Sequence, residues 1–592
     1  MRPSVGALFS IKTTSVRNRD AVQTHLLASK AVEGYDARFM TLKLRLLPIP
    51  LVLVLAIVVW LGWNWPRRVD MSQYAPSDSI VYLECNDLPA VANAIVGSNA
   101  WKHFAGSFGL QADQPSHRWL NVAASFGIGP AKSVLLARSQ VAVVMLNLNA
   151  AEENATLNIK PEGAIIIETH TSTWRLRPAA EEVLQQFAQK LYGPVSAKHS
   201  VDGADFLEWT NGSDRRIVAA IDGSVLVVGN SKAAVQRCLD ARHRPELSLR
   251  GDAALGRMRA IVGGSDALTF GYVSAENATK LAAWGTPLLF GREPGNSTLE
   301  QIVNRNAPKV LGAIGWSSRP TSGIIEDRFF ISLEPSIVTR LRPAFRTTTP
   351  KASIWTVVPD AIDTISVYRS QTPSQAWDAL RGISSQFDAV SAVLLNSLMK
   401  AALLTYGISD PDRFLAAVGP DMATFKANQS DNAVLIARVL DRPTLEQMFK
   451  SQQAKTNGDT IDFLLRETTT DKQFSATFVG DYLLVGNRDD VRQCVEAQKQ
   501  ARTIAEHNRP KIDLNAFSNS AAISTYTNDV ERVRTFFRVL SGVRGGAIEN
   551  AQAFADIPFA NTETTLDDKG LDRRTKSALG QFSSLVALFK SD

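Results

Sequence analysis

The chain of 592 residues is longer than one hydrophobic core fills, so at least two are expected, and 45% apolar with 21% charged content belongs to folded rather than disordered protein. The net charge of +6 suggests a basic protein, yet +5 of it lies in residues 1–45, where eight Lys/Arg face three acids. The nearly neutral remainder lacks the excess cations of a nucleic-acid-binding surface, so no nucleic acid is expected among the partners.

In chain order, residues 1–45 read as a basic cytoplasmic tail with little periodicity, expected to be disordered. Met40-Thr-Leu-Lys43-Leu-Arg45 has the form of a second start with its own basic region. Residues 46–65, LLPIPLVLVLAIVVWLGWNW, carry no charge, and twenty helical residues span a hydrocarbon layer of ~30 Å. Lys43 and Arg45 precede this stretch, while Trp60, Trp63, Trp65, Arg67 and Arg68 sit where headgroups would lie. No small-x-small cleavage site follows, only GWNWPRR. The expectation is a signal-anchor: a single-pass protein of the cytoplasmic (inner) membrane, with the lipid bilayer as a partner and the C-terminal domains extracytoplasmic.

Beyond the apolar stretch the chain repeats itself. Residues 201–230 align without a gap on 458–487, with eleven of thirty positions identical, including Asp205-Phe206-Leu207 with Asp462-Phe463-Leu464. Gly223, Gly229 and Asn230 match Gly480, Gly486 and Asn487, the structural signature of the repeat. The Gly-Asn step suits a chain reversal with positive φ, or a cap on the next helix. Weaker correspondences upstream place an α+β repeat at 66–345 and another at 346–592, joined near Thr347–Pro350. The expected fold class is α+β: an N-terminal transmembrane helix followed by two tandem copies of an antiparallel-sheet-plus-helices domain. Strands over 205–209, 216–221 and 224–228 predict antiparallel meanders, and 178–191 and 443–450 predict helices at matching places. Thr372-Pro373-Ser374-Gln375 predicts the start of one long helix to Leu404, whose apolar residues Trp377, Leu380, Ile383, Phe387, Val390, Leu394 and Leu398 read as a core face.

The chemistry-bearing residues form no recognisable set. Seven histidines are scattered without metal-ligand spacing, and there is no nucleophile elbow, phosphate loop, dinucleotide fingerprint or CxxC. The sequence therefore assigns no catalytic, cofactor-binding or metal residue and implies no cofactor. Gly263-Gly264-Ser265 reads as a turn, and the pairs Glu181-Glu182, Asp489-Asp490 and Asp567-Asp568 as helix-start electrostatics or solvated faces. Cys238 and Cys494 occupy matching places and are expected to pack each in its own repeat. Five N-x-Ser/Thr sequons count only in a eukaryotic secretory setting, and the scarcity of cysteine in so large an exported region points to a bacterial envelope.

A short basic tail, one apolar stretch, then Pro76-Ser-Asp-Ser-Ile-Val-Tyr-Leu, Ala92-Asn93, strands ending in Val-Gly-Asn, and a second copy together resemble an uncharacterised family of bacterial membrane-anchored envelope proteins with a duplicated domain of unknown function. The resemblance implies a location and brings no catalytic residues. The function expected is a non-enzymatic, membrane-anchored binding or scaffold module for envelope proteins, lipid or wall components, with a groove between the two Val-Gly-Asn elements or between the long helices. The alternative is an envelope hydrolase whose site is assembled from residues distant in sequence.

Overall fold

Burial alternates along the strands, as in Val418–Ala427, so successive side chains serve cores on opposite faces of a sheet. The computed structural model describes residues 68–592 apart from 109–138, 291–297, 508–520, 542–556 and 588–592, and shorter gaps at 154–155, 203, 212–215, 349–351, 428–429, 431, 451–453 and 467–470. The first half runs β1 (Val81–Cys85), α1 (Leu88–Gly97), α2 (Asn99–Phe104), β2 (Gln140–Glu153), β3 (Thr156–Glu168), α3 (Thr173–Tyr192), β4 (Ser196–Asp202), β5 (Ala204–Thr210), β6 (Arg216–Asp222), β7 (Val225–Gly229), α4 (Lys232–His243), α5 (Ala253–Val262), β8 (Thr269–Val273), α6 (Ala275–Phe290), α7 (Thr298–Asn306), β9 (Leu311–Thr321) and β10 (Ile324–Leu333). Helix α8 (Pro335–Leu341) leads out of it.

The second half runs β11 (Ile362–Tyr368), α9 (Pro373–Ser384), α10 (Ala389–Leu404), α11 (Pro411–Ala417), β12 (Val418–Ala427), β13 (Ala433–Val439), α12 (Arg442–Lys450), β14 (Lys455–Asn457), β15 (Thr460–Arg466), β16 (Asp471–Val479), β17 (Tyr482–Asn487), α13 (Arg488–Lys499), α14 (Ile504–His507), β18 (Ile523–Thr527), α15 (Val530–Ser541), β19 (Ala560–Leu566), β20 (Gly570–Ser577) and α16 (Phe582–Ala587).

All pairings among the described strands are antiparallel, and each half orders its strands alike. The first half reads β4-β5-β6-β7-β3-β2-β1-β8-β9-β10. The second reads β14-β15-β16-β17-β13-β12-β11-β18-β19-β20. The final strands of the halves, β10 and β20, pair with each other over eight residues, which makes one twenty-stranded sheet. We call this junction the seam. Among the described strands β4 and β14 end the sheet, and β14 is only three exposed residues, a shortness that discourages pairing with another chain.

Cores lie on both faces. In the first half Tyr82, Phe270, Phe330 and Cys238 share one cluster, while α3 covers Leu207, Trp209 and Ile217 on the other face. In the second half one cluster gathers Trp355, Tyr526 and Cys494 and another Phe414, Phe449 and Phe463. A further cluster crosses the seam, where Trp101, Phe104 and Ile325 of the first half pack on Val533, Phe536, Phe537 and Leu579 of the second. Across the two seam strands Arg328 faces Arg574, and Asp572 accepts hydrogen bonds from both guanidinium groups, at 2.7 Å from Arg328 Nη2 and 3.1 Å from Arg574 Nη2. The link between the halves is held by buried Arg369, whose guanidinium donates to the Thr348 carbonyl at 3.1 Å.

Several expectations need correction. The spanning segment 46–65 and its flanks lie outside the described residues, and no helix among the described residues is long and apolar enough to cross a membrane. The longest, α3, shows why: Arg175, Arg177, Glu181, Glu182 and Lys190 make it amphipathic, suited to covering a sheet rather than sitting in lipid. Over the described residues the fold class is thus α+β built on one large antiparallel sheet, and residues 68–592 form one compact unit rather than two separate modules. The long helix expected over 373–404 is two. Thr372 makes no side-chain cap; α9 stops at Ser384, and Asp388 restarts the chain by accepting the Ser391 amide at 3.1 Å and its hydroxyl at 2.7 Å. Nor is α10 a core helix: Val390 and Val393 are 65% and 67% exposed and Ser391 is its only buried residue.

Candidate functional site

The repeat-signature residues do backbone work. Gly223 and Gly480 hold φ of +62° and +56° in the β6–β7 and β16–β17 hairpins, a region open to glycine at little cost. Gly229 has no positive φ; a Cβ there would stand 3.0 Å from the Gly163 carbonyl and from Val235 Cγ2, and one at Gly486 3.0 Å from Val434 Cγ2. Asn230 accepts from the Gly163 amide at 3.1 Å and donates to the Pro161 carbonyl at 2.5 Å, stapling β7 to β3. Ser231, not Asn230, caps the next helix there, whereas Asn487 caps its own by accepting the Asp489 amide at 3.0 Å. Strands β7 and β17 have twelve strands between them, roughly 60 Å along the sheet at the usual strand spacing, so no groove joins the two Val-Gly-Asn elements. Of the flanking residues expected at a membrane, Lys43, Arg45, Trp60, Trp63, Trp65 and Arg67 lie outside the described residues; Arg68 pairs with Asp87 at 3.0 Å.

The acidic pairs are engaged in local structure. Glu181 accepts from Arg177 at 3.0 Å, Asp490 from Ser430 at 2.8 Å, and Asp567 from the amides of Lys569 and Gly570 at 2.7 and 2.9 Å. Gly263 closes α5 in the left-handed region at φ +67°. Histidines reach carboxylates or amides: His243 sits 2.8 Å from Asp222, His507 2.5 Å from Asp360 and His170 3.2 Å from Gln140. Among the described residues no three metal-ligating side chains converge.

Two buried acid networks bind the start of the compact unit to its sheet. Glu84 accepts from Tyr82 at 2.6 Å and from Arg259 at 3.1 Å; burial pushes its carboxyl above the usual range against the pull of Arg259, which also reaches Asp70. Glu168 accepts from Tyr74 at 2.9 Å and from the His170 amide at 2.8 Å. Both carboxylates are spoken for by partners that fold the chain.

The open site lies at one end of the seam. A cavity of about 470 Å³ is bounded by α5, the start of α6, β9, the end of β10 and the β19–β20 turn. That is within the range of small-ligand sites. It exists because short side chains stand where long ones would fill it: Ala254 and Ala260 on α5, Ala275 on α6 and Ala313 on β9. Met258 and Ile261 supply its floor, with Met258 lodged against Gly315, where a Cβ would collide with it. Polar groups are confined to Ser332, Arg257 and, from the other half, Lys569. The Lys569 turn is fixed by its carbonyl, which accepts the Leu333 amide at 3.0 Å, and by the Asp568–Arg342 ion pair. At the opposite end of the seam the equivalent β9–β10 turn is capped instead, the Asn99 amide of α2 donating to the Gly323 carbonyl at 2.7 Å.

Nothing in the sequence pointed to this cavity, since its members are mostly alanines and exposed cations drawn from five separate segments. The one available signal was the alanine content of 253–260, which a helix period places on more than one face. No family model, curated protein or solved structure matches the chain.

Proposed function

We propose that this chain is a non-enzymatic extracytoplasmic binding or scaffold protein of the bacterial cell envelope, and that it binds at the seam. The observation carrying the reading is the cavity that α5, β9 and β10 of one half share with Lys569 of the other. Duplication followed by edge-to-edge joining gives a site that neither half lines alone. Its lining suits retention rather than turnover, because Arg257, Lys569 and a hydroxyl accompany apolar side chains, and no carboxylate or imidazole stands among the described lining residues to exchange a proton. The envelope setting rests on the sequence and is checked by fractionating cells that express the tagged chain; recovery in the cytosol overturns that part.

The binding reading is tested by affinity purification of tagged full-length protein under mild conditions, with mass spectrometry of proteins and small molecules retained. Ala313→Leu, which fills the cavity from its sheet side, is compared in parallel, with circular dichroism to establish that it folds. A species retained by the wild type and lost from the folded variant is expected. Identical retention by both overturns binding at the seam.

A further inference from the structure

We infer that the seam cavity takes the tail of a single-chain anionic amphiphile, its carboxylate or phosphate head held at the mouth by Arg257 and Lys569. The inference rests on the binding reading above and names the ligand class. Neither cation has a side-chain hydrogen bond or ion pair to any described residue, and both are exposed beside an apolar wall. Two like charges from different halves of the fold repel, and an anion between them relieves that repulsion.

Three acids of the flanking segments are already occupied. Asp252 caps α5 through the Ala254 amide and accepts from Tyr272 at 2.7 Å; Asp567 holds two amides of its own turn, and Asp568 pairs with Arg342. None of them is free to serve as the counter-ion without giving up a bond that shapes the cavity wall. Among the described lining residues the interior offers no compensating side-chain donor or acceptor beyond the Ser332 hydroxyl, so a sugar or peptide would bury polar groups unsatisfied there. An alkyl chain has none to satisfy. The volume fits one such chain rather than the two of a bilayer phospholipid.

The test is photo-crosslinking of the full-length chain, held in amphipol, with dodecanoic acid bearing a terminal diazirine, followed by peptide mapping. Labelling is expected on the peptides of α5 and β9 that contain Met258, Ile261 and Ala313. Dodecanoate and dodecyl phosphate should both compete, and whichever competes at lower concentration identifies the preferred head; dodecanol should need at least tenfold more. The exposed pair Arg257→Gln/Lys569→Gln should cut site labelling about tenfold while leaving the circular dichroism spectrum unchanged, and Ala313→Leu should abolish it. If Ala313→Leu abolishes labelling but dodecanol competes equally and the charge-neutralised variant labels normally, the anionic class is overturned and seam binding stands. If labelling falls elsewhere, or persists in folded Ala313→Leu, the amphiphile assignment fails with the site.

Discussion

Asp327 on β10 is 3% exposed and accepts a hydrogen bond from Ser318 at 2.5 Å. Burial pushes its carboxyl up to about 6, with a further push from Asp529 and Glu326, while the Ser318 hydroxyl and the Gln581 amide pull down. Because the folded state holds this proton more tightly than the unfolded chain, its contribution is full below pH ~4 and is lost as pH rises through about 6. The difference is on the order of 3 kcal/mol. Asp327→Asn should therefore remove part of the stability loss between pH 4 and 7, read as urea midpoints of the two proteins at both values. Parallel midpoints across that range would contradict the assignment. Asp529 and Glu84 are pushed the same way by burial, so the variant flattens the profile without levelling it. The sequence showed Asp327 only as one acid among fifty-eight. What raises its carboxyl is burial in the folded chain, with Asp529 from the other half adding to the push.

Among the elements, the β6–β7 and β16–β17 hairpins are where local sequence and structure agree best. Gly480→Ala meets no atom within 4 Å and so isolates the strain of φ +56°; Gly223→Ala adds Arg242 Nη2 at 3.2 Å, a movable group. Each should cost about 1–2 kcal/mol in chemical denaturation, and a cost near zero would mean the turns rearrange freely. Helices separate in the opposite sense. Val393→Ser on α10 should change stability by less than about 0.5 kcal/mol, whereas Phe536→Ala on α15, 2% exposed in the seam cluster, should cost about 3–5 kcal/mol. Equal losses would show α10 to be a core helix after all. The repeat also misleads in one place. Phe206 and Phe463 are identical by alignment, yet Phe206 pairs with Ala220 while Phe463 pairs with Phe474. The β15 strand has slipped three residues against β16, an odd number, which turns Phe463 to the opposite face from Phe206.

At the scale of the molecule, one sheet and one aromatic cluster run through the junction of the halves, so unfolding should be a single calorimetric transition of the compact unit. Two well-separated transitions would mean that each half is stable alone. Truncation after β10 would leave a ten-residue strand unpaired on the side that β20 occupies and should promote aggregation. The sequence by itself determined the duplication, by alignment of the chain on itself, and the antiparallel hairpins and the places of Gly223, Gly480 and Asn487, because these last depend on neighbours a few residues apart: alternation within a strand, φ at a turn, a cap on the next amide. Only the tertiary structure decided that the halves join edge to edge, that the two Val-Gly-Asn elements lie far apart, that β15 slips, and that four alanines leave a cavity beneath Arg257 and Lys569. Those outcomes follow from pairing β10 with β20 across some two hundred and forty residues. The information for such a contact is spread over both strands and every side chain packed on them, and no local pattern carries it.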